Sequence, residues 1–247
     1  MSYTVPEIEW MGLLPVMILL GAAVIGVLVE AFVRTPELRR TIQVSLAGVA
    51  AVAATTAAVL QWALLDGVGV VVANNLFVAD RHSYAWQVVI GIFTILGVAL
   101  FASRVAGEDG FSPLASVAPG SVEEGVARTR GLIQTEVYPL VLFAAGGMML
   151  FAQTTHLIAL FVVLEVFSLP LYILVALSRR RRLLSQEAAL KYFLMGAFSS
   201  AVYLFGAALL FAAAGGLNYT GISLAADIYF DRDPVFIVAI LLVGAPW

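Results

Sequence analysis

The chain contains no cysteine. That excludes disulfides, thiolate metal sites and iron–sulfur ligation within it, and leaves the redox compartment undetermined. Electron-transfer centres would have to sit in other proteins. Charge is scarce as well: 12% of the residues are charged, against roughly 25% in soluble domains. Lysine occurs once, as Lys191, and histidine twice, as His82 and His156. A net charge of -3, with the charges in short clusters between apolar runs, gives no footprint for a nucleic acid. There is no phosphate-binding glycine loop, no dinucleotide fingerprint, and no His or carboxylate spacing suited to a metal. The N-terminal segment carries Glu7 and Glu9 without a basic region, so the first apolar stretch reads as a spanning helix, not a cleaved signal.

What the chain has in abundance is apolar sequence: 62% hydrophobic residues and a mean hydropathy of +1.01. The apolar runs cover 11–33, 41–65, 84–103, 138–154, 156–177 and 188–214. Their lengths approach the ~20 residues that a helix needs to cross a hydrocarbon core of about 30 Å. Backbone in lipid must satisfy its own polar groups, so each run is expected to be helical. The fold class that follows is all-α, a polytopic transmembrane helix bundle forming one domain. A seventh helix begins at 235–247 and stops after about 20 Å, too short to span, so the chain reads either as a portion of a longer protein or as ending in a half-helix completed by something else.

Connections alternate in charge. Arg34, Arg39 and Arg40 fall in the first, Arg104, Arg128 and Arg130 in the third, and the arginines at 179–182 in the fifth. The second and sixth carry only Arg81 and Arg232, and the fourth has none. Positive charge on the cytoplasmic side places the odd-numbered connections inside and the N-terminus outside. The third connection, 104–137, is long and rich in Gly, Pro, Ser and acids, and reads as a cytoplasmic loop. The fourth, 153–156, is so short that its helices must form an antiparallel hairpin.

Against this background Glu165 stands out, near the middle of 156–177. A carboxylate at membrane depth costs a few kcal/mol or more and marks ion or proton pathways. The competing reading is an acid that only fixes helix packing. Pro170, five residues on, removes an amide donor to the Val166 carbonyl, and a kink there would admit water beside the acid. Glu187 and Lys191 stand four apart in the order that favours an intrahelical pair. Lys191 either snorkels to the interface or, if dried, carries a proton. The run of arginines is expected to anchor topology, and the two histidines to cap or pack. Glu30 is expected to face the interface or Arg34. Gly196 and Ser200, four apart, signal close helix approach. Asn218, Tyr219 and Thr220 form a short glycosylation-type triplet, a weak signal.

The segment LEVFSLPLYILVAL at 164–177, followed from Ser185 by SQEAALKYFLMGAFSSAVYLFGAALL, resembles the antiporter-like membrane subunits of respiratory complex I, the bacterial NADH-quinone oxidoreductase. A weaker likeness covers NLFVADRHSYAWQVV at the entry to the third helix. The resemblance implies the N-terminal half of an inverted-repeat, proton-pumping subunit in the bacterial inner membrane. Glu165, Glu187 and Lys191 would then be its proton-relay residues, with no cofactor in this chain. NADH, FMN, iron–sulfur clusters and quinone would belong to partner subunits, which together with the lipid bilayer are the implied partners. Two departures stand out: the family's broken seventh helix with its buried lysine is missing, and the third connection is unusually long. The alternatives are a cation/proton antiporter subunit of the same superfamily and a non-catalytic membrane scaffold.

Overall fold

A computed structural model describes residues 9–65, 67, 69–73, 75–103, 121–123, 126, 134–178, 182–229 and 233–244. Glu7, most of 104–137 with Arg104, Arg128 and Arg130, the arginines at 179–181, Asp231, Arg232 and 245–247 lie outside the described residues.

A short 3-10 turn, Trp10–Leu13, leads into α1 (Leu14–Phe32), and α2 follows as Pro36–Leu64. Both helices carry a proline in their first turn, where the missing N–H would have no intrahelical partner in any case. Next comes a two-stranded antiparallel hairpin, β1 (Val70–Val72) and β2 (Phe77–Ala79), turned through Ala73 and Asn75 at positive φ. Helix α3 (Arg81–Ala102) starts in a capping box: Ser83 N–H donates to Asp80 Oδ1 at 2.7 Å, and Asp80 N–H donates to Ser83 Oγ at 3.0 Å. The remaining helices are α4 (Val137–Phe151), α5 (Leu157–Ala176), α6 (Arg182–Ala214), α7 (Tyr219–Tyr229) and α8 (Pro234–Gly244). The all-α bundle expected from the apolar runs is the fold observed. The hairpin and α7 lie in connections that the apolar pattern does not resolve.

Five helices are long and apolar enough to cross a membrane: Trp10–Phe32, Pro36–Leu64, Arg81–Ala102, Leu157–Ala176 and Leu184–Ala214. At 15 residues α4 is shorter, about 22 Å at 1.5 Å per residue. Its position explains how a short helix suffices. It packs against α1, α2, α3 and α5 and buries Tyr138, Leu142, Ala144, Ala145 and Met149, so protein surrounds it. Gly147 brings α4 close to α5: a Cβ there would stand 2.8 Å from Phe167 Cβ and 3.0 Å from the Phe167 backbone nitrogen. Phe151 then meets the Phe167 ring edge-on at 5.7 Å. Small residues at helix crossings are how membrane bundles gain contact without a water-driven hydrophobic force.

One core joins α1 to α4 around Leu19, Ala23, Ala47, Ala54, Leu142 and Met149. A second joins α5 to α8 around Leu157, Tyr203, Leu210 and Phe236. Backbone hydrogen bonds stitch one end of the bundle. Val78 N–H donates to Gln153 O at 2.7 Å, Thr155 N–H to Leu76 O at 3.0 Å, Leu157 N–H to Leu217 O at 2.9 Å and Tyr219 N–H to Thr155 O at 3.0 Å. The hairpin, the α4–α5 link and the α6–α7 link are thereby one layer, which fixes where α5 begins. The outer faces are strongly apolar, with Phe32, Val49, Phe93, Met195 and Phe198 exposed. Lipid rather than water is the solvent such faces require.

Candidate functional site

Helix α5 is apolar apart from a few side chains, and three of these fall at 165, 168 and 172. That spacing sets Glu165, Ser168 and Tyr172 on one face. Pro170 sits inside the helix and is buried. It has no N–H to donate to Val166, so the regular ladder is interrupted beside Glu165. Ser168 Oγ donates to the Leu164 carbonyl at 2.5 Å, a local bond that holds its hydroxyl against the helix.

Across from this face lies α6, which packs directly on α5. Ser200 Oγ donates to Glu165 Oε1 at 2.5 Å, the short charge-assisted geometry of a hydroxyl on a carboxylate. Ser200 is buried and Glu165 half-buried. One turn earlier, Gly196 presents bare backbone to the Tyr172 hydroxyl: a Cβ on Gly196 would collide with it. The same hydroxyl belongs to the α5 face that also carries Ser168 and Glu165. Its ring is held edge-on by Tyr192 at 4.6 Å and Phe193 at 5.8 Å. The site is thus a carboxylate and three hydroxyls, enclosed by two helices.

The sequence pointed to Glu165 and Pro170, and the structure places both at the α5–α6 contact. Glu187 and Lys191 are elsewhere. Their 2.5 Å ion pair stands in the open, with side chains 56% and 71% exposed. Lys191 precedes Ser200 by nine residues, which at 3.6 residues per turn is roughly half a turn out of phase. The helix therefore directs the pair away from Glu165. Ser200, Ser168 and Tyr172 were not singled out as polar groups of the site. Gly196 and Ser200 carried only a packing signal, yet among the described residues it is Ser200 that donates its hydroxyl to the acid. The legible trace was the three-and-seven spacing of polar groups along α5.

A second buried charge lies at the opposite end from the hairpin. Arg39 Nε stands 3.1 Å from Glu30 Oε2 and donates to Thr135 Oγ1 at 3.0 Å. Gln43 Nε2 donates to Glu30 Oε1 at 3.1 Å and to the Gly26 carbonyl at 2.7 Å. Gln43 and Thr135 are each 1% exposed. The expected Arg34 partner is exposed, and Arg39 takes its place because α2 begins at Pro36 and turns Arg39 back over the end of α1. This cluster clamps α1, α2 and the start of α4 together. Of the histidines, His82 is exposed in the first turn of α3. His156 precedes α5 without a side-chain cap, and its buried Nδ1 has no hydrogen-bond partner among the described residues. Asn218 Oδ1 accepts from Gly221 N–H at 3.2 Å, as a cap at the start of α7 does.

Comparison with known proteins places this geometry. The family model described as NADH:quinone oxidoreductase/Mrp antiporter, TM, matches residues 154–246, the segment that holds Glu165, Tyr172 and Ser200. Subunit N of the NADH-quinone oxidoreductase of Beutenbergia cavernae is 46% identical over 253 residues, covering 98% of this chain and 47% of that protein. A chain of respiratory complex I from Thermus thermophilus, solved with bound aureothin, has a TM-score of 0.66 at 28% identity, covering 94% of this chain and 42% of that one. A chain of an archaeal membrane-bound sulfane sulfur reductase has a TM-score of 0.68 at 19% identity, covering 94% and 43%, and shares the fold. The chain spans about half the length of the curated relatives it matches. By sequence along almost its whole length, and by fold, the chain belongs to the family of antiporter-like membrane subunits found in NADH:quinone oxidoreductases and Mrp antiporters.

Proposed function

We propose that this chain serves in proton translocation by an NADH-quinone oxidoreductase of the bacterial inner membrane. The observation that carries the reading is Glu165, an acid within a spanning helix, bonded to Ser200 in the segment that the family model matches. Low dielectric favours a neutral carboxyl, whereas a hydroxyl donor or a nearby cation favours the carboxylate. Small shifts between α5 and α6 can therefore tip the proton on or off. Quinone reduction, with its NADH, flavin and iron–sulfur centres, would occur in partner subunits and drive those shifts. The site residues proposed for the relay are Glu165 first, with Glu187 and Lys191 outside its immediate shell and Pro170 loosening the helix beside it.

A tagged chain purified from native membranes should carry flavin and iron–sulfur subunits and quinone-reductase activity. Recovery with cation antiporter subunits and no redox partner would favour the antiporter reading that the shared family description also covers.

The sequence placed Lys191 at the start of its helix, but α6 begins at Arg182 and sets Lys191 in its third turn. Lys191→Ala should lower pumping by no more than about threefold, because its side chain is 71% exposed and an exposed i,i+4 pair contributes little. Proton uptake in energised vesicles checks this. A loss as deep as that of a Glu165 variant would place Lys191 in the essential path.

The N-terminus is proposed to lie outside. The chain has no native cysteine, so introduced ones report cleanly. Ser83 is buried in the capping box, whereas His82 beside it and Ser103 at the end of α3 are exposed. A membrane-impermeant thiol reagent should label His82→Cys from outside and Ser103→Cys only from the cytoplasmic face. The opposite pattern would invert the topology.

A further inference from the structure

The polar groups on α5 do not stop at Glu165. They continue toward the helix end that adjoins the arginines at 179–182. Glu165 stands eleven residues before the end of α5 at Ala176, about 16 Å, whereas Tyr172 stands only four, about 6 Å. Side chains on a helix lean toward its N-terminus, so the Tyr172 phenol reaches back over the turn of Ser168 and toward Glu165. Two features hold it there. Gly196 leaves a notch that the hydroxyl occupies, and the rings of Tyr192 and Phe193 brace the phenol at 4.6 and 5.8 Å. The hydroxyl lies against α6 one turn from Ser200, the residue bonded to Glu165, and on the α5 face that carries Ser168. Ser168, the intermediate group, is buried, with its proton parked on the Leu164 carbonyl at 2.5 Å. Tyr172 itself is half-exposed. An isolated aromatic anchor would not need its hydroxyl seated on a glycine, on the helix face that carries a buried serine and an acid.

From this juxtaposition, and resting on the relay reading of Glu165, we infer that Tyr172 and Ser168 form the proton path that connects Glu165 to the arginine-flanked end of α5. In one transfer a hydronium at that end gives a proton to the Tyr172 oxygen. The Tyr172 O–H proton passes to Ser168 Oγ, and the Ser168 proton swings from the Leu164 carbonyl to the Glu165 carboxylate. One proton enters, one carboxylate is neutralised, and both hydroxyls end neutral. Rotation of the two hydroxyls resets the chain. The Ser200 hydroxyl, bonded to Glu165 Oε1, holds the carboxylate in place during the transfer.

Tyr172→Phe tests this in the assembled complex, because it removes the hydroxyl and keeps the ring in contact with Tyr192 and Phe193. A positioned proton-transfer group contributes roughly 10²–10⁴-fold, and water entering the notch restores part of that, so pumping should fall about tenfold. The solvent deuterium isotope effect on pumping should rise as water takes over. Ser168→Ala should produce a similar loss, and the double variant no further one, as groups in series require. Glu165→Gln is run beside them. Full pumping and an unchanged isotope effect in Tyr172→Phe, with Glu165→Gln inactive, would overturn the Tyr172 path and leave the relay reading standing. Full pumping in Glu165→Gln would overturn both.

Discussion

Glu165→Gln should abolish proton translocation, with pumping down at least a hundredfold and the complex still assembled. Glutamine has nearly the size of glutamate, and its amide oxygen can accept the Ser200 hydroxyl bond, which in the native protein spans 2.5 Å. The α5–α6 contact, set by Gly196 against Tyr172 and by the pairing of Phe161 with Tyr203 at 6.5 Å, needs no charge at residue 165. What glutamine cannot do is bind and release a proton, and a group that carries protons loses at least about 10²-fold when it cannot do so. Glu165→Asp keeps the titrating group but draws it back by one methylene, away from Ser200, and should retain partial activity. Native gels establish assembly, and proton uptake by energised vesicles, read with quinone-reductase turnover, gives the effect. Full pumping by an assembled Glu165→Gln complex would leave the acid with a packing role alone.

Glu30→Ala should destabilise the bundle by about 3 kcal/mol, the low end of the cost of breaking a buried ion pair, because this pair is only part-buried. Its carboxylate accepts from Gln43 and faces Arg39 at 3.1 Å, and the Glu30 and Arg39 side chains are only 14% and 19% exposed. Removing the carboxylate breaks the 3.1 Å contact with Arg39 at a site only partly open to water. Gln43 keeps its 2.7 Å bond to Gly26 and Arg39 keeps Thr135, so the ends of the bundle loosen without unravelling. Glu30→Gln restores a hydrogen-bond acceptor of the same length and should cost less than half as much. Heat-induced loss of the chain from the detergent-solubilised complex, followed on native gels, should rank wild type above Glu30→Gln and Glu30→Ala last. Equal stability of all three would mean that the cluster does not hold the bundle.

The two predictions differ in how legible their residues were. Glu165 is conspicuous because a charge in a long apolar run has no cheap explanation. The helices α1 to α6 lie over the apolar runs for the same reason: length and hydropathy alone demand them. Other features depend on which face a residue occupies in three dimensions. Glu30 pairs with Arg39 rather than Arg34 because Pro36 starts α2 early, a shift of about one turn that sequence cannot place. The family resemblance groups Lys191 with Glu165, but helical phase carries it to the other side of α6. Ser200 and Gly196 were visible only as small residues, since a packing serine and a serine that bonds an acid have the same spelling. The β1–β2 hairpin is apolar and short, and its three-residue strands gave no period to distinguish them from the helix ends around them. Helix α7 carries polar residues between two apolar segments and read as part of a connection.

The central claim is that Glu165 takes up and releases a proton during turnover. Infrared difference spectroscopy of the assembled complex, with quinone reduction started by NADH, observes this directly through the carbonyl stretch of a protonated carboxyl group. A band that appears or vanishes with turnover, shifts in Glu165→Asp and is missing in Glu165→Gln is the predicted result. An identical difference spectrum in the wild type and in Glu165→Gln would contradict it.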